Sequence, residues 1–200
     1  MTPIKKLLTA SSLLAVAGLV ACGGGGGGGN AAPATATSLT YTDPTSGTYL
    51  LKKDAASTST HLILDLVGPA TGTASGVTLT LNADTSKVAW VDVPAGVSNS
   101  ILVQNGTQFD LGTGPALILA RASGTTLMAT VAQKGLAVTP AALNGVLLKV
   151  ALDLKPNLGL PQGTTILLSA DGTKSLVLDG TKGSTPISPI TVSVGTLTAQ

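Results

Sequence analysis

The segment Val146-Leu147-Leu148-Lys149-Val150-Ala151-Leu152-Asp153-Leu154 decides the fold, because all its even-numbered positions are apolar while Lys149 and Asp153 lie between them. A period of two is typical of a β-strand that covers a core on one face and meets water on the other. The same period recurs in two earlier segments, 60–67 and 76–81. The chain is therefore predicted to contain strands with one buried face.

Other short segments with strand character lie between turn signals. They are residues 48–52, 88–93, 101–104, 115–122, 125–133, 164–169, 175–178 and 189–198. The turns are marked by Asn105-Gly106, Asn144-Gly145, Asp171-Gly172 and Asp179-Gly180. About nine or ten short strands predict an all-β fold, an antiparallel sandwich of two sheets in jelly-roll order. A closed barrel is the competing architecture.

The composition agrees with strands and limits the partners. All nine acidic residues are Asp and Glu is absent, and the chain has 25 Gly and 11 Pro, a bias against helices. Without Lys5 and Lys6 the basic side chains number 11 − 2 = 9, equal to the nine acids. Since no basic face is visible, a nucleic-acid partner is not expected.

The N-terminal segment has the organisation of a secretion signal. Lys5 and Lys6 precede an apolar run over 7–20, which is shorter than the roughly 20 residues of a spanning helix, and small Ala21 follows. The only cysteine, Cys22, comes next and is followed by seven glycines. Leu19-Val20-Ala21-Cys22 resembles the lipobox of bacterial lipoproteins. The alternative is an ordinary signal peptide with an incidental cysteine.

The lipobox resemblance implies a signal peptide over 1–21 and a lipid on Cys22 that anchors the mature chain to a membrane. Residue 23 is Gly rather than Asp, which resembles the pattern exported to the outer membrane. We therefore expect a lipid-anchored protein of the bacterial cell envelope, facing either the periplasm or the cell surface. Residues 22–40 are predicted to form a flexible linker with a reach of about 23 Å. Residues 41–200 are predicted to form one domain.

Three segments of this domain resemble cohesins. Residues 76–88 resemble the cohesin strand that leads into a turn, here at Asp84. Residues 144–154 resemble a later cohesin strand whose alternate residues point inward, and residues 190–198 resemble the terminal cohesin strand. The likeness spans about 47–198, and it departs from the cohesin pattern at Thr85, where a proline is common, and at Asn82-Ala83, where an aromatic is common. It implies a nine-stranded jelly-roll sandwich related to that of some carbohydrate-binding modules. Read from its residues alone, Asp84 caps a short turn between two strands.

The residues give little support to catalysis, and we predict that the protein is not an enzyme. His61 is the only histidine, and about 13 Å of strand separates it from Asp65, so the two cannot form a catalytic pair. We expect His61 to face solvent. Nothing in the sequence pairs any two of the nine aspartates for acid–base chemistry.

Metal and cofactor sites are not expected either. The chain lacks Glu, has one His, and is predicted to use Cys22 for a lipid, so a transition-metal site would lack ligands. The repeated Asp-Gly-Thr-Lys at 171–174 and 179–182 is interpreted as two hairpin turns, because it lacks the alternating acids of a calcium loop.

Binding is the function that remains. Strand faces rich in Thr, Ser and Ala favour a scaffold or binding module for a protein partner of the envelope. The alternative is a carbohydrate-binding module, for which Trp90 is the candidate platform. Alternation places Trp90 on one face with Val88 and Asp92, either as an exposed ring or as a large core side chain.

Overall fold

The structure is a computed structural model that describes residues 34–95, 101–135, 139–178 and 187–200. The predicted signal peptide, Cys22, the glycine run and the turn at Asp179-Gly180 lie outside the described residues. Among the described residues, no helix is long and apolar enough to span a bilayer.

Seventeen strands form the described part of the chain. They are β1 (Leu39–Thr42), β2 (Tyr49–Lys53), β3 (His61–Val67), β4 (Thr73–Ala74), β5 (Gly76–Ala83), β6 (Val88–Val91), β7 (Gln104–Asn105), β8 (Leu117–Ser123), β9 (Thr126–Ala132), β10 (Ala141–Ala142), β11 (Val146–Leu154), β12 (Thr165–Ile166), β13 (Leu168–Ala170), β14 (Leu176–Leu178), β15 (Ile187–Pro189), β16 (Val192–Ser193) and β17 (Thr196–Ala199). The all-β prediction is confirmed.

Two large sheets form the layers of the sandwich. The first sheet has the order β16-β2-β3-β11-β6, with β7 also paired to β11, and the second has the order β15-β14-β5-β9-β8, with β13 also paired to β5. Smaller sheets are β1-β17-β12 and β4-β10. Every pair is antiparallel except β16 with β2. Both large sheets end in open edges, so the described residues form a sandwich and not a closed barrel.

The structure divides two of the predicted strands. Predicted strand 164–169 becomes β12 and β13, which belong to different sheets, and Leu167 between them is 63% exposed. Predicted strand 189–198 contributes to β15, β16 and β17, again in three different sheets. Such crossings form the corners of a sandwich, where a chain leaves one layer for the other. The hydrophobic pattern of a segment does not show at which residue the chain passes from one sheet to the other.

The core lies between the two large sheets and consists mainly of leucines. The largest fully buried side chains are Leu51, Leu62, Leu64, Leu66, Leu79, Leu81, Leu127, Leu147, Leu148, Leu152, Ile166 and Leu197. The even positions of β3 and the odd positions of β5 point into this core, as their alternation predicts. The buried apolar area is the main stabilising contribution to such a fold.

Packed structure begins before residue 40, in the segment we assigned to the linker. Ala36 and Leu39 are buried, and β1 pairs with β17 in the register Leu39↔Ala199. Tyr41 fixes this edge: its hydroxyl donates to the carbonyl oxygen of Leu51 at 2.8 Å and accepts from the amide of Gly195 at 2.7 Å. Burial raises the pKa of Tyr41 to about 12.

Candidate functional site

The outer side of the second sheet, here called the second-sheet face, carries the exposed apolar side chains of the sandwich. It is built by outward residues of β8 and β9, next to those of β5 and β14, and strand register aligns Leu119 with Thr130 and Arg121 with Met128. Leu119 is 70% exposed, and Leu117, Met128 and Ile187 are also exposed. A set of large apolar side chains on one open sheet is unusual for a surface that meets only water.

The threonine hydroxyl groups between these apolar side chains form hydrogen bonds within the domain. Thr78 and Thr130 share a hydrogen bond of 2.9 Å between their hydroxyl oxygens, and the Thr126 hydroxyl donates to Asn82 Oδ1 at 2.7 Å. The Thr80 hydroxyl donates to the carbonyl oxygen of Lys174 at 3.1 Å. Because these polar groups already have partners, covering the face with another molecule would leave few of them without hydrogen bonds.

A shallow apolar groove continues the face toward β14 and β15. It has a volume of about 190 Å³, and its lining includes Thr130, Ala132, Leu176, Leu178 and Ile187. A second recess beside Met128 is lined by two charged residues, Arg121 and Lys174, both basic. Lys174 Nζ lies 3.3 Å from Asp171 Oδ2, so the second-sheet face combines an apolar surface with a margin that carries Arg121 and an ion pair.

The outer side of the first sheet, the first-sheet face, differs in chemistry. His61 lies directly across from Asp153 in the register of β3 and β11, and it is buried. Our expectation that His61 faces solvent is therefore wrong, because the apolar cluster of Ile63, Val93 and Ala151 forms on the same outer face.

Both ring nitrogens of His61 have partners. Nδ1 lies 2.8 Å from Asp153 Oδ1, and Nε2 lies 2.9 Å from the carbonyl oxygen of Val93. With a carboxylate beside Nδ1 and a backbone carbonyl beside Nε2, both ring nitrogens are occupied by contacts within the domain. His61 therefore presents no unoccupied ring nitrogen that could serve as a general base for a substrate.

Three charged residues meet in a second cluster on the first-sheet face, here called the Asp–Lys–Asp cluster. Lys149 Nζ contacts Asp54 Oδ2 and lies 3.5 Å from Asp65 Oδ1. Burial raises the pKa of Asp65 to about 6, whereas hydrogen bonds from Lys149 and the Ala56 amide outweigh the burial of Asp54 and lower its pKa. The sequence did not reveal this pairing of two aspartates, because Lys149 brings together carboxyl groups from different elements.

Trp90 lies on β6 opposite Leu152, half-buried, and packs against the main core. Its indole nitrogen is 3.5 Å from the carbonyl oxygen of Thr125. The other three aromatic residues of the chain, Tyr41, Tyr49 and Phe109, are buried. The four aromatic side chains therefore offer no exposed ring on which a sugar could stack.

Asp84 and Asp171 stabilise the turns in which they lie through local hydrogen bonds. Asp84 accepts hydrogen bonds from the Ser86 amide and hydroxyl, and the Lys87 ammonium, with the Ser86 hydroxyl, lowers the pKa of Asp84 to about 2. Asp171 accepts from the hydroxyl and amide of Thr173. In the described ranges, no three His, Cys, Asp or Glu side chains come close enough to hold a metal ion.

The sequence did not identify the second-sheet face as the exposed apolar surface. The available signal was the spacing of Leu117, Leu119 and Arg121, which places two leucines and a cation on one side of β8. That signal is weak because Ile118 and Ala120 make the other side of β8 apolar as well.

Comparisons with known proteins identify the fold. No family model matches the sequence, and no curated protein matches it. Among solved structures, the sixth cohesin of Acetivibrio cellulolyticus scaffoldin B, in complex with a variant Cel5 dockerin, superposes with a TM-score of 0.50 at 16% identity, covering 75% of this chain and 97% of that one.

A second cohesin gives the same result. The CaCohA2 module of Clostridium acetobutylicum in solution superposes with a TM-score of 0.50 at 14% identity, covering 72% of this chain and 85% of the module. CaCohA2 in a complex with a CaDoc0917 variant also has a TM-score of 0.50, at 16% identity over 70% of this chain and 88% of that one. The domain therefore has a cohesin-like fold.

Proposed function

We propose that this chain is a non-catalytic binding module that holds a protein partner on its second-sheet face, at the bacterial cell envelope. The observation that carries the proposal is the exposed set of Leu117, Leu119 and Met128 on a flat sheet whose hydroxyls are already hydrogen-bonded. Burying these side chains against a partner would supply favourable apolar area at little polar cost.

The margin of the face indicates the chemistry of the partner. Arg121 is exposed and basic, whereas Lys174 is paired with Asp171, so a partner with an apolar ridge and an acidic group facing Arg121 would be complementary. The scaffoldin B cohesin, which has the same fold, is in complex with a dockerin. That complex supports a protein as the class of ligand. The buried or half-buried state of all four aromatic residues favours a protein over a polysaccharide.

The anchor in this proposal is a lipid on Cys22. The linker that follows would let the domain move about 20 Å from the membrane surface. Replacing Cys22 with Ala should leave the protein soluble or unprocessed in the inner membrane. A Cys22→Ala variant that still fractionates with the outer membrane would disprove lipid anchoring, whatever the domain binds.

Site-specific photo-crosslinking in the native host tests the binding face. A benzophenone amino acid at position 119 should give a discrete covalent adduct, and the same residue at position 167 is the control, because Leu167 is similarly exposed but lies between β12 and β13. Adding Met128→Asp should reduce the adduct about tenfold or more, since a carboxylate would be desolvated at the contact. An adduct that forms equally from both positions, or is insensitive to Met128→Asp, would refute this assignment.

A further inference from the structure

The Asp–Lys–Asp cluster places the amine of Lys149, whose side chain is 29% exposed, against two largely buried carboxyl groups. Lys149 is on β11, Asp65 is its direct partner on β3, and Asp54 follows the last residue of β2. The side chains of Asp54 and Asp65 are only 9% and 13% exposed. Three neighbouring strands thus converge on one contact that neither the fold nor the proposed binding face requires.

Asp54 is held in a fixed orientation. Its Oδ1 accepts a hydrogen bond from the Ala56 amide at 2.6 Å, and its own amide donates to the carbonyl oxygen of Ile63 at 2.9 Å. Asp54 Oδ2 is therefore directed at Lys149 Nζ. Reactants held in contact in this way gain most of the entropic advantage of an intramolecular reaction.

The cluster has one cation for two buried carboxyl groups. Asp65 Oδ1 is buried and has no hydrogen-bond partner among the described residues. With a pKa near 6, raised by burial, Asp65 can take up and release a proton near neutral pH. A group of this kind beside an amine and a carboxyl group is suited to moving protons between them.

We propose that Lys149 and Asp54 condense to an intramolecular amide, with Asp65 as the proton relay. The first step is proton transfer from the Lys149 ammonium to Asp54, which leaves a neutral amine and a neutral acid. The hydrogen bond to Asp54 raises the pKa of Lys149 and so opposes this transfer, which makes it the step that limits the rate. Nζ then attacks Cγ of Asp54. Asp65 removes a second proton from Nζ and delivers it to the departing hydroxyl.

The step balances without a co-reactant. The Nζ–Cγ bond forms, one Cγ–O bond breaks, and water leaves with two of the three ammonium protons. The third proton stays on the amide, and Asp65 returns to its carboxylate form. No oxidant or reductant is needed, and the product joins residues that are 95 positions apart in sequence.

Peptide mapping of the full chain tests the proposal directly. Trypsin does not cut at an acylated lysine, nor between Lys155 and Pro156, so the amide would leave residues 54–87 joined to residues 135–174, with a mass lower than their sum by one water. Fragmentation of this branched peptide should locate the bond at Asp54. Lys149→Arg should restore two separate peptides, and Asp65→Asn should greatly reduce the branched one.

The wild-type map alone can overturn the proposal, so the test does not depend on whether a variant folds. Recovery of residues 54–87 and 135–149 as linear peptides in full yield would exclude the amide, and a bond located at Asp65 would refute the assigned roles. The proposal is independent of the binding face: loss of partner binding in Met128→Asp leaves the branched peptide unchanged.

Discussion

Replacing Asp65 with Asn should change how the stability of the domain depends on pH. Burial raises the pKa of Asp65 from 3.8 to about 6 in the folded state. Between these values the folded protein binds more protons than the unfolded chain, so its free energy of unfolding falls as pH rises. Asn has nearly the same volume but does not titrate, so Asp65→Asn removes this dependence.

The magnitude follows from the two pKa values. Each pH unit of the shift corresponds to about 1.4 kcal/mol, so the whole shift corresponds to about 3 kcal/mol, of which the wild type should lose about 2 kcal/mol relative to Asp65→Asn between pH 4 and pH 7. Asp54 acts in a different window, because its pKa is lowered and its contribution is lost only as pH falls below 3.8. If Lys149 forms an amide, the cation that lowers the pKa of Asp65 is lost. The pKa of Asp65 then stays raised, and the free energy of unfolding still falls as pH rises.

Urea unfolding of both proteins at pH 4 and pH 7 measures this difference. The stability of Asp65→Asn minus that of the wild type should increase by about 2 kcal/mol between the two pH values. Taking the difference cancels the groups that titrate alike in both proteins. A difference that stays constant with pH, or decreases, would show that Asp65 is not buried in the way described.

Two further substitutions test the core and one of its polar contacts. Leu152 is fully buried, so Leu152→Ala should lower the free energy of unfolding in urea by about 2–5 kcal/mol. The control Leu167→Ala, at an exposed position, should lower it by less than about 0.5 kcal/mol. An equally small effect of Leu152→Ala would contradict the sandwich core. Tyr41→Phe should cost about 1–3 kcal/mol, because Leu51 O and Gly195 N lose their partner; an unchanged transition would mean that water replaces the hydroxyl.

The alternation of apolar and polar residues predicted the fold because most core strands bury one face and leave the other nearer to solvent. In β11 the even positions Leu148, Val150 and Leu152 are all buried, and Lys149 and Asp153 are on the other face, as a period of two requires. Two odd positions depart from this pattern: Leu147, at a shift of register, and Ala151 are buried as well. The same reasoning fails at β8, an edge strand, where Leu117 and Leu119 are apolar on one side and Ile118 and Ala120 on the other. Only the position of the strand in the sheet decides which side is covered.

The polar clusters of the first-sheet face could not be predicted from periodicity. His61 and Asp153 are 92 residues apart, and Asp54 and Lys149 are 95 apart. Their meeting depends on the pairing of β3 with β11 and of β2 with β3. A pattern along one strand predicts which face a residue occupies, and it contains no information on which strand lies beside it.

The pairing of β1 with β17 has a mechanical consequence. Within the described residues β1 has β17 as its only partner in a sheet, and the ladder starts at Leu39 opposite Ala199. A pull on the chain ahead of this strand would first load the hydrogen bonds of Ala36 with Leu160 and of Thr37 and Ser38 with Gln200. The residue pairs of β1 and β17 would then separate one after another, from Leu39 onward. Under tension the domain would therefore lengthen first at this edge, while the two large sheets stay closed.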